Sequence, residues 1–142
     1  MFNAIEVLSK SLSAARLRVN TLASNIANAE TTRTEEGGPY KRKDIVQTAV
    51  GMKNHFSSEL DKASLASPSV LAVVEDQSPP RLVYQPGHPD ANPEGYVAFP
   101  NINVVSTMTD LMSATRLYQA NVTAIETARD ISTEANRISQ RM

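Results

Sequence analysis

Only one stretch of this chain sets an imidazole beside a carboxylate: Gly87-His88-Pro89-Asp90. A zinc site there would need a third and a fourth ligand and groups to orient them. General acid–base work would need a pocket around the pair. The other histidine, His55, is far away in sequence. Pro86 and Pro89 bracket His88, so the stretch reads as a rigid turn whose Asp90 side chain bonds nearby backbone. No glycine loop of the GxGxxG or GxxxxGK[ST] type is present, and neither is HExxH or GxSxG. Cysteine is absent, which removes thiol nucleophiles, thiolate metal sites and disulfides. Lys41-Arg42-Lys43, between Tyr40 and Asp44, reads as a solvated turn or as a docking patch for an acidic neighbour. The glycosylation triplet Asn121-Val122-Thr123 falls inside a helical pattern and is set aside. No catalytic, cofactor-binding or metal-ligating residue is assigned, and the chain is expected not to be an enzyme.

The elements around these residues are punctuated by glycine and proline. All 5 glycines and 8 prolines lie between Gly37 and Pro100. Gly costs about 1 kcal/mol and Pro about 3 kcal/mol inside a helix relative to Ala. The two flanks are therefore written as helices and the centre is not. Three segments follow: an N-terminal helix and motif over 1–36, a Pro/Gly-rich insert over 37–103, and a C-terminal helix over 104–142. The first arm repeats Ile5, Leu8, Leu12, Ala15, Val19, Leu22, Ile26 and Ala29 in alternating steps of three and four. The second repeats Met108, Leu111, Thr115, Tyr118, Val122 and Ile125, then slips by one to Ala128, Ile131, Ala135, Ile138 and Met142. Asn103 and the Thr107/Asp110 pair compete as its cap. The insert is too small to cover a helix of roughly 35–40 Å, so these stripes are expected to face partners. In the insert, Asp44–Val50, Val70–Glu75, Arg81–Tyr84 and Tyr96–Phe99 read as short strands. Met52–Ala66 suits a short helix or a loop.

Charge excludes some partners. The net charge is −1, and residues 1–36 and 104–142 each hold four basic and four acidic groups. Nucleic-acid binding would need a basic face, and an aromatic content of 5% with no Trp offers little for base stacking. Glu6 and scattered polar residues interrupt any apolar leader segment. The longest apolar run, Val70–Val74, is far short of the ~20 residues that span a bilayer. If the protein works outside the cytoplasm, it is expected to leave without a cleaved leader.

Two segments resemble the rod and hook axial proteins of the bacterial flagellum. Ala23 to Thr31, with Asn25-Ile26-Ala27-Asn28 at its centre, is similar to the motif near the start of that family. The run from Tyr84 through Pro86-Gly87-His88-Pro89, Gly95-Tyr96 and Pro100–Val104 to Tyr118-Gln119-Ala120-Asn121 resembles its proximal-rod members. Ser106 and Thr107 stand where relatives often carry acidic residues, and the tail from Asp130 is more polar than usual. The resemblance implies a mainly α fold with a small β-rich insert, its terminal helices packed as coiled-coil-like layers in a periplasmic helical tube. It implies copies of itself and other rod proteins as partners, passage through the flagellar type III export apparatus, and neither cofactor nor membrane insertion. Asn25, Asn28, Gln119 and Asn121 would satisfy polar groups across subunits or stand as exposed amides. Another rod or rod-adaptor protein is the nearest alternative. A helical adaptor or chaperone would explain the heptads but not the insert, and a small hydrolase built on His88 and Asp90 is more distant.

Overall fold

The computed structural model describes residues 2–51 and 66–139. The undecided stretch Met52–Ala66 lies outside them except for Ala66, and so does Met142. Six elements follow one another among the described residues. Helix α1 runs over Phe2–Ala27, strand β1 over Lys43–Gly51, β2 over Ala66–Glu75, β3 over Arg81–Tyr84, β4 over Tyr96–Phe99, and helix α2 over Val104–Ser139. The four strands expected in the insert are all present, with β1 and β2 longer than the apolar pattern indicated.

Helix α1 stops well before the first glycine. The Asn28 side-chain amide donates to the Ser24 carbonyl at 2.9 Å, beside the main-chain bond from Asn28 to the same oxygen. The β-branched Thr31, Thr32 and Thr34 then favour extended backbone. The following loop closes on itself: the Tyr40 N–H meets the Thr31 carbonyl at 3.1 Å, and Thr34 pairs with Gly38. Gly37 and Gly38 turn the chain there at φ of 88° and 79°.

β1 and β2 form an antiparallel ribbon, with one bulge on β2. Val46 faces Ala72 and Gln47 faces Val70, leaving Leu71 as the extra residue. β3 and β4 form a separate antiparallel hairpin. Its Val97 is fully buried, and the Tyr84 and Tyr96 rings meet edge to face at 5.4 Å. Asp76, just past β2, accepts the Ser78 hydroxyl at 2.6 Å and the Ser78 N–H at 2.9 Å. Those bonds, with Arg42 adding, hold its carboxyl below the usual carboxylate range. Its stabilising effect is therefore in place above that range and is lost as pH falls through the lowered value.

Asn103, not the Thr107/Asp110 box, caps α2. Its side-chain oxygen accepts the Ser106 N–H at 3.1 Å, and its carbonyl accepts the Thr107 N–H at 2.9 Å. Thr107 is a buried residue of the first turn whose hydroxyl bonds back to Asn103.

The two helices pack on each other. Ala14 and Ala15 of α1 and Ala114 of α2 are buried, and α1 packs on β2 and β1 as well as on α2. Arg18, Thr21 and Leu22 of α1 line one cleft with Asp110 of α2, which sets the pair antiparallel. At 1.5 Å per residue α1 spans about 39 Å and α2 about 54 Å. From Arg129 to Ile138 every residue of α2 but Ser132 is exposed, so roughly the last ten residues of α2 overhang. The α2 seam consists of Thr107, Leu111, Ala114, Tyr118, Asn121, Ile125 and Ala128, all buried or half-buried. It is rotated from the apolar stripe expected from sequence: Met108 stands 49% exposed, and two polar residues lie inside the seam.

Candidate assembly surface and its joint

The residue that ties the helix pair to the insert is Asn25, only 1% exposed. Its amide donates to the Lys43 carbonyl at 2.8 Å, and its oxygen accepts the Lys43 N–H at 2.9 Å. The Tyr40 hydroxyl donates to the same oxygen at 3.1 Å, and Ser24 Oγ lies 3.3 Å from that hydroxyl. Because main-chain groups of one strand residue point the same way, Lys43 turns both of its groups away from β2. Asn25 thus stands in for a third strand at the first rung of the ribbon. Within the chain, the amides of Asn25 and the half-buried Asn28 each donate to a main-chain carbonyl.

A second tie joins the β3–β4 loop to the chain after α1. Asp90 accepts the Thr32 hydroxyl at 2.8 Å, and Arg33 lies 3.7 Å from its other oxygen. The aspartate was expected to bond nearby backbone; instead it reaches across 58 positions. His88 Nδ1 accepts the Asp90 N–H at 3.1 Å, and its ring packs edge-on against Phe99. Among the described residues no group of three or more His, Cys, Asp or Glu side chains could hold a metal ion. Gly95 completes the turn at φ 84°, where an added Cβ would sit 2.8 Å from Tyr84 Cε2 and 3.3 Å from Pro86 Cβ. Gly95→Ala is expected to cost about 2–3 kcal/mol, combining a positive φ with the clash. Gly87→Ala, with open space around it, should stay within about 0.5 kcal/mol. Urea unfolding of the two variants checks the difference.

Lys41-Arg42-Lys43 is not a uniform solvated turn. Arg42 binds Asp44 at 2.7 Å and approaches Asp76 at 3.6 Å, while Lys43 opens β1 with its ammonium 5.9 Å from the centre of the Tyr40 ring.

The helix pair leaves several large apolar side chains uncovered or only half-covered. Along α1, Ile5, Leu8, Leu12, Val19, Leu22 and Ile26 are half-buried, and only Ala15 of the expected interface is buried. Along α2, Leu111, Tyr118 and Val122 are half-buried and Ile125 is buried. Val105, Met112 and Leu117 are exposed beside Met108, as are Ile131 and Ile138 on the overhang. Of the motif residues, Ala27, Pro86, Gly87, Pro89, Tyr96, Gln119 and Ala120 are exposed, while His88, Gly95 and Asn121 are half-buried. Sequence reasoning missed Tyr40, Thr32, Ala14 and Ala114. Ala14 and Ala114 are small, and Tyr40 and Thr32 act on partners distant in sequence, so periodicity gave no sign of any of them. Val105 and Met112 were also missed, although they extend from Met108 at steps of three and four.

Two family models match the chain. The flagella basal body rod protein model covers residues 5–33, and the model for the C-terminal part of flagellar basal body rod FlgEFG proteins covers 94–138. The curated relatives include the flagellar basal-body rod proteins FlgC of Borreliella burgdorferi, Bacillus subtilis and Escherichia coli O157:H7. The first is 37% identical, over 99% of this chain and 98% of its own. The second is 38% identical, over 98% of both. The third is 34% identical, over 99% and 98%.

Proposed function

The chain belongs to the FlgC family of flagellar basal-body rod proteins, and on that premise we propose how its fold serves a rod. It is a structural subunit of the basal-body rod and not an enzyme. In our reading the terminal segments 1–36 and 104–142 act as one assembling unit. Their helices pack against copies of the chain and other rod proteins in coiled-coil-like layers, and the contact carries torque along the proximal rod. The insert, 37–103, sits outside those layers, braced by the Asn25 and Asp90 ties. The subunit reaches the periplasm through the flagellar type III export apparatus. No helix of the described residues is long and apolar enough to cross a membrane.

One observation carries this reading: two paired helices bury a single seam and leave Val105, Met108, Met112, Leu117, Ile131 and Ile138 uncovered. Each such side chain is worth about 1.5–3 kcal/mol when fully buried, before the cost of ordering it. Neighbours in a non-closing stack supply that burial. Negative-stain microscopy of basal bodies from cells lacking the chain tests the reading. Rings without a rod, hook or filament are expected, with the chain restoring all three. Complete rods in its absence would overturn it.

A further inference from the structure

The geometry points to His88 as a proton-operated latch on the tie between the insert and the segment after α1. While its ring is neutral the latch is closed, and a proton on Nδ1 releases it. The latch goes beyond the rod reading and is a property of the single chain.

Three side chains of the insert accept the N–H two residues further on. Asp76 Oδ1 takes the Ser78 N–H at 2.9 Å, Asn92 Oδ1 the Glu94 N–H at 3.0 Å, and His88 Nδ1 the Asp90 N–H at 3.1 Å. An amide oxygen accepts whatever the pH. An imidazole nitrogen accepts only while it carries no proton, and imidazole ordinarily gains its second proton between about pH 5 and 8. The turn leaves the ring little freedom. The His88 N–H donates to the Gln85 carbonyl at 3.1 Å, and its own carbonyl accepts the Ala91 N–H at 3.0 Å. Pro89 fixes the next φ, and the ring packs edge-on against Phe99 at 6.3 Å.

What this bond holds in place is Asp90. Its carboxylate accepts the Thr32 hydroxyl at 2.8 Å and faces Arg33 at 3.7 Å. A proton on Nδ1 sets an N–H against the Asp90 N–H. The surrounding charges add to the change. Arg33 after α1 and Arg81 of β3, whose guanidinium lies 5.8 Å from the centre of the Phe99 ring, repel an imidazolium. Glu94 is exposed in the same loop. Asp90 attracts an imidazolium, and a ring turned toward that carboxylate competes with Thr32 and Arg33 for it. Both responses draw Asp90 off Thr32. The bond's contribution is therefore present while the ring is neutral and is lost as pH falls through the imidazole range. Below that range the insert keeps only the Asn25 tie.

Nuclear magnetic resonance on the free chain, carrying His55→Gln so that His88 is the one histidine left to titrate, tests the latch between about pH 7.5 and 5.5. At the upper end the neutral ring is expected to carry its proton on Nε2. As the ring gains its second proton, protection of the Asp90 amide, corrected for intrinsic exchange, should fall roughly tenfold, the loss of one ordinary hydrogen bond. Thr32 signals should move with the same midpoint. In His88→Asn the new Oδ1 can serve as that of Asn92 does, so protection should hold across the range. A neutral ring with its proton on Nδ1 overturns the proposal without any change at His88. So does protection in the parent that ignores pH, or the same pH dependence surviving in His88→Asn. The readout is on unassembled chain, so its failure leaves the rod reading standing, and complete rods in cells lacking the chain would leave the latch standing.

Discussion

Asn25→Ala is expected to destabilise the subunit by about 3 kcal/mol, lowering its unfolding midpoint by roughly 10 °C. The alanine leaves the N–H and carbonyl of Lys43 without the partners they have at 2.9 and 2.8 Å, and the Tyr40 hydroxyl loses its acceptor. Orphaned buried groups cost about 1–3 kcal/mol each, more than a typical hydrogen bond contributes when both partners are solvated. The consequence reaches beyond stability, because Asn25 is where the ribbon is registered against α1. Freed from it, the insert loses its fixed direction relative to the helix pair. Asn28→Ala removes a bond to a carbonyl that already accepts a main-chain N–H, and should cost about 1 kcal/mol or less. Thermal unfolding followed by circular dichroism checks both. A loss at Asn25 no larger than that at Asn28 would remove it as the joint.

Ala15→Glu should be more damaging still in the cell. Ala15 is 3% exposed, on the helix that packs on α2. A glutamate there adds volume to a close helix contact and places a carboxylate out of water. A buried charge without a partner costs several kcal/mol. The helix pair is expected to come apart while the ribbon and the β3–β4 hairpin, which do not depend on that face, keep their pairing. Cells should be non-motile. Ser13→Glu, two residues away on the exposed side, should leave motility near normal and stability within about 0.5 kcal/mol. Swarm diameter and hydrogen exchange on the two purified variants separate the outcomes. Protection of α1 and α2 amides in Ala15→Glu equal to that of the unaltered chain would place the seam elsewhere.

Both helices were legible because 1–36 and 101–142 hold no breaker and carry stripes at helical spacing. The strands were legible because apolar runs alternate with Gly37-Gly38-Pro39, Ser78-Pro79-Pro80 and Pro86-Gly87. The end of α1 at Ala27 was not, since Asn28 and the threonines stop a helix without a glycine. The phase of the α2 seam was also hidden. Apolar periodicity counts Met108 and passes over Thr107 and Asn121, whereas packing is decided by which positions face α1. The two ties lay beyond any local pattern. Asn25 answers the main chain of a residue 18 positions on, and Asp90 answers Thr32 across 58. What exposed the motif around Asn25 was its likeness to a family, and what explains it is a buried amide serving as a strand.

The central claim is that the α1–α2 pair is the element that builds the rod. Electron cryomicroscopy of basal bodies isolated with this chain in place tests it most directly. The account predicts rod density in which the helix pairs of successive copies touch one another, with the ribbon and hairpin outside that layer. A rod in which copies meet through the insert, with the helix pairs held apart, would contradict it.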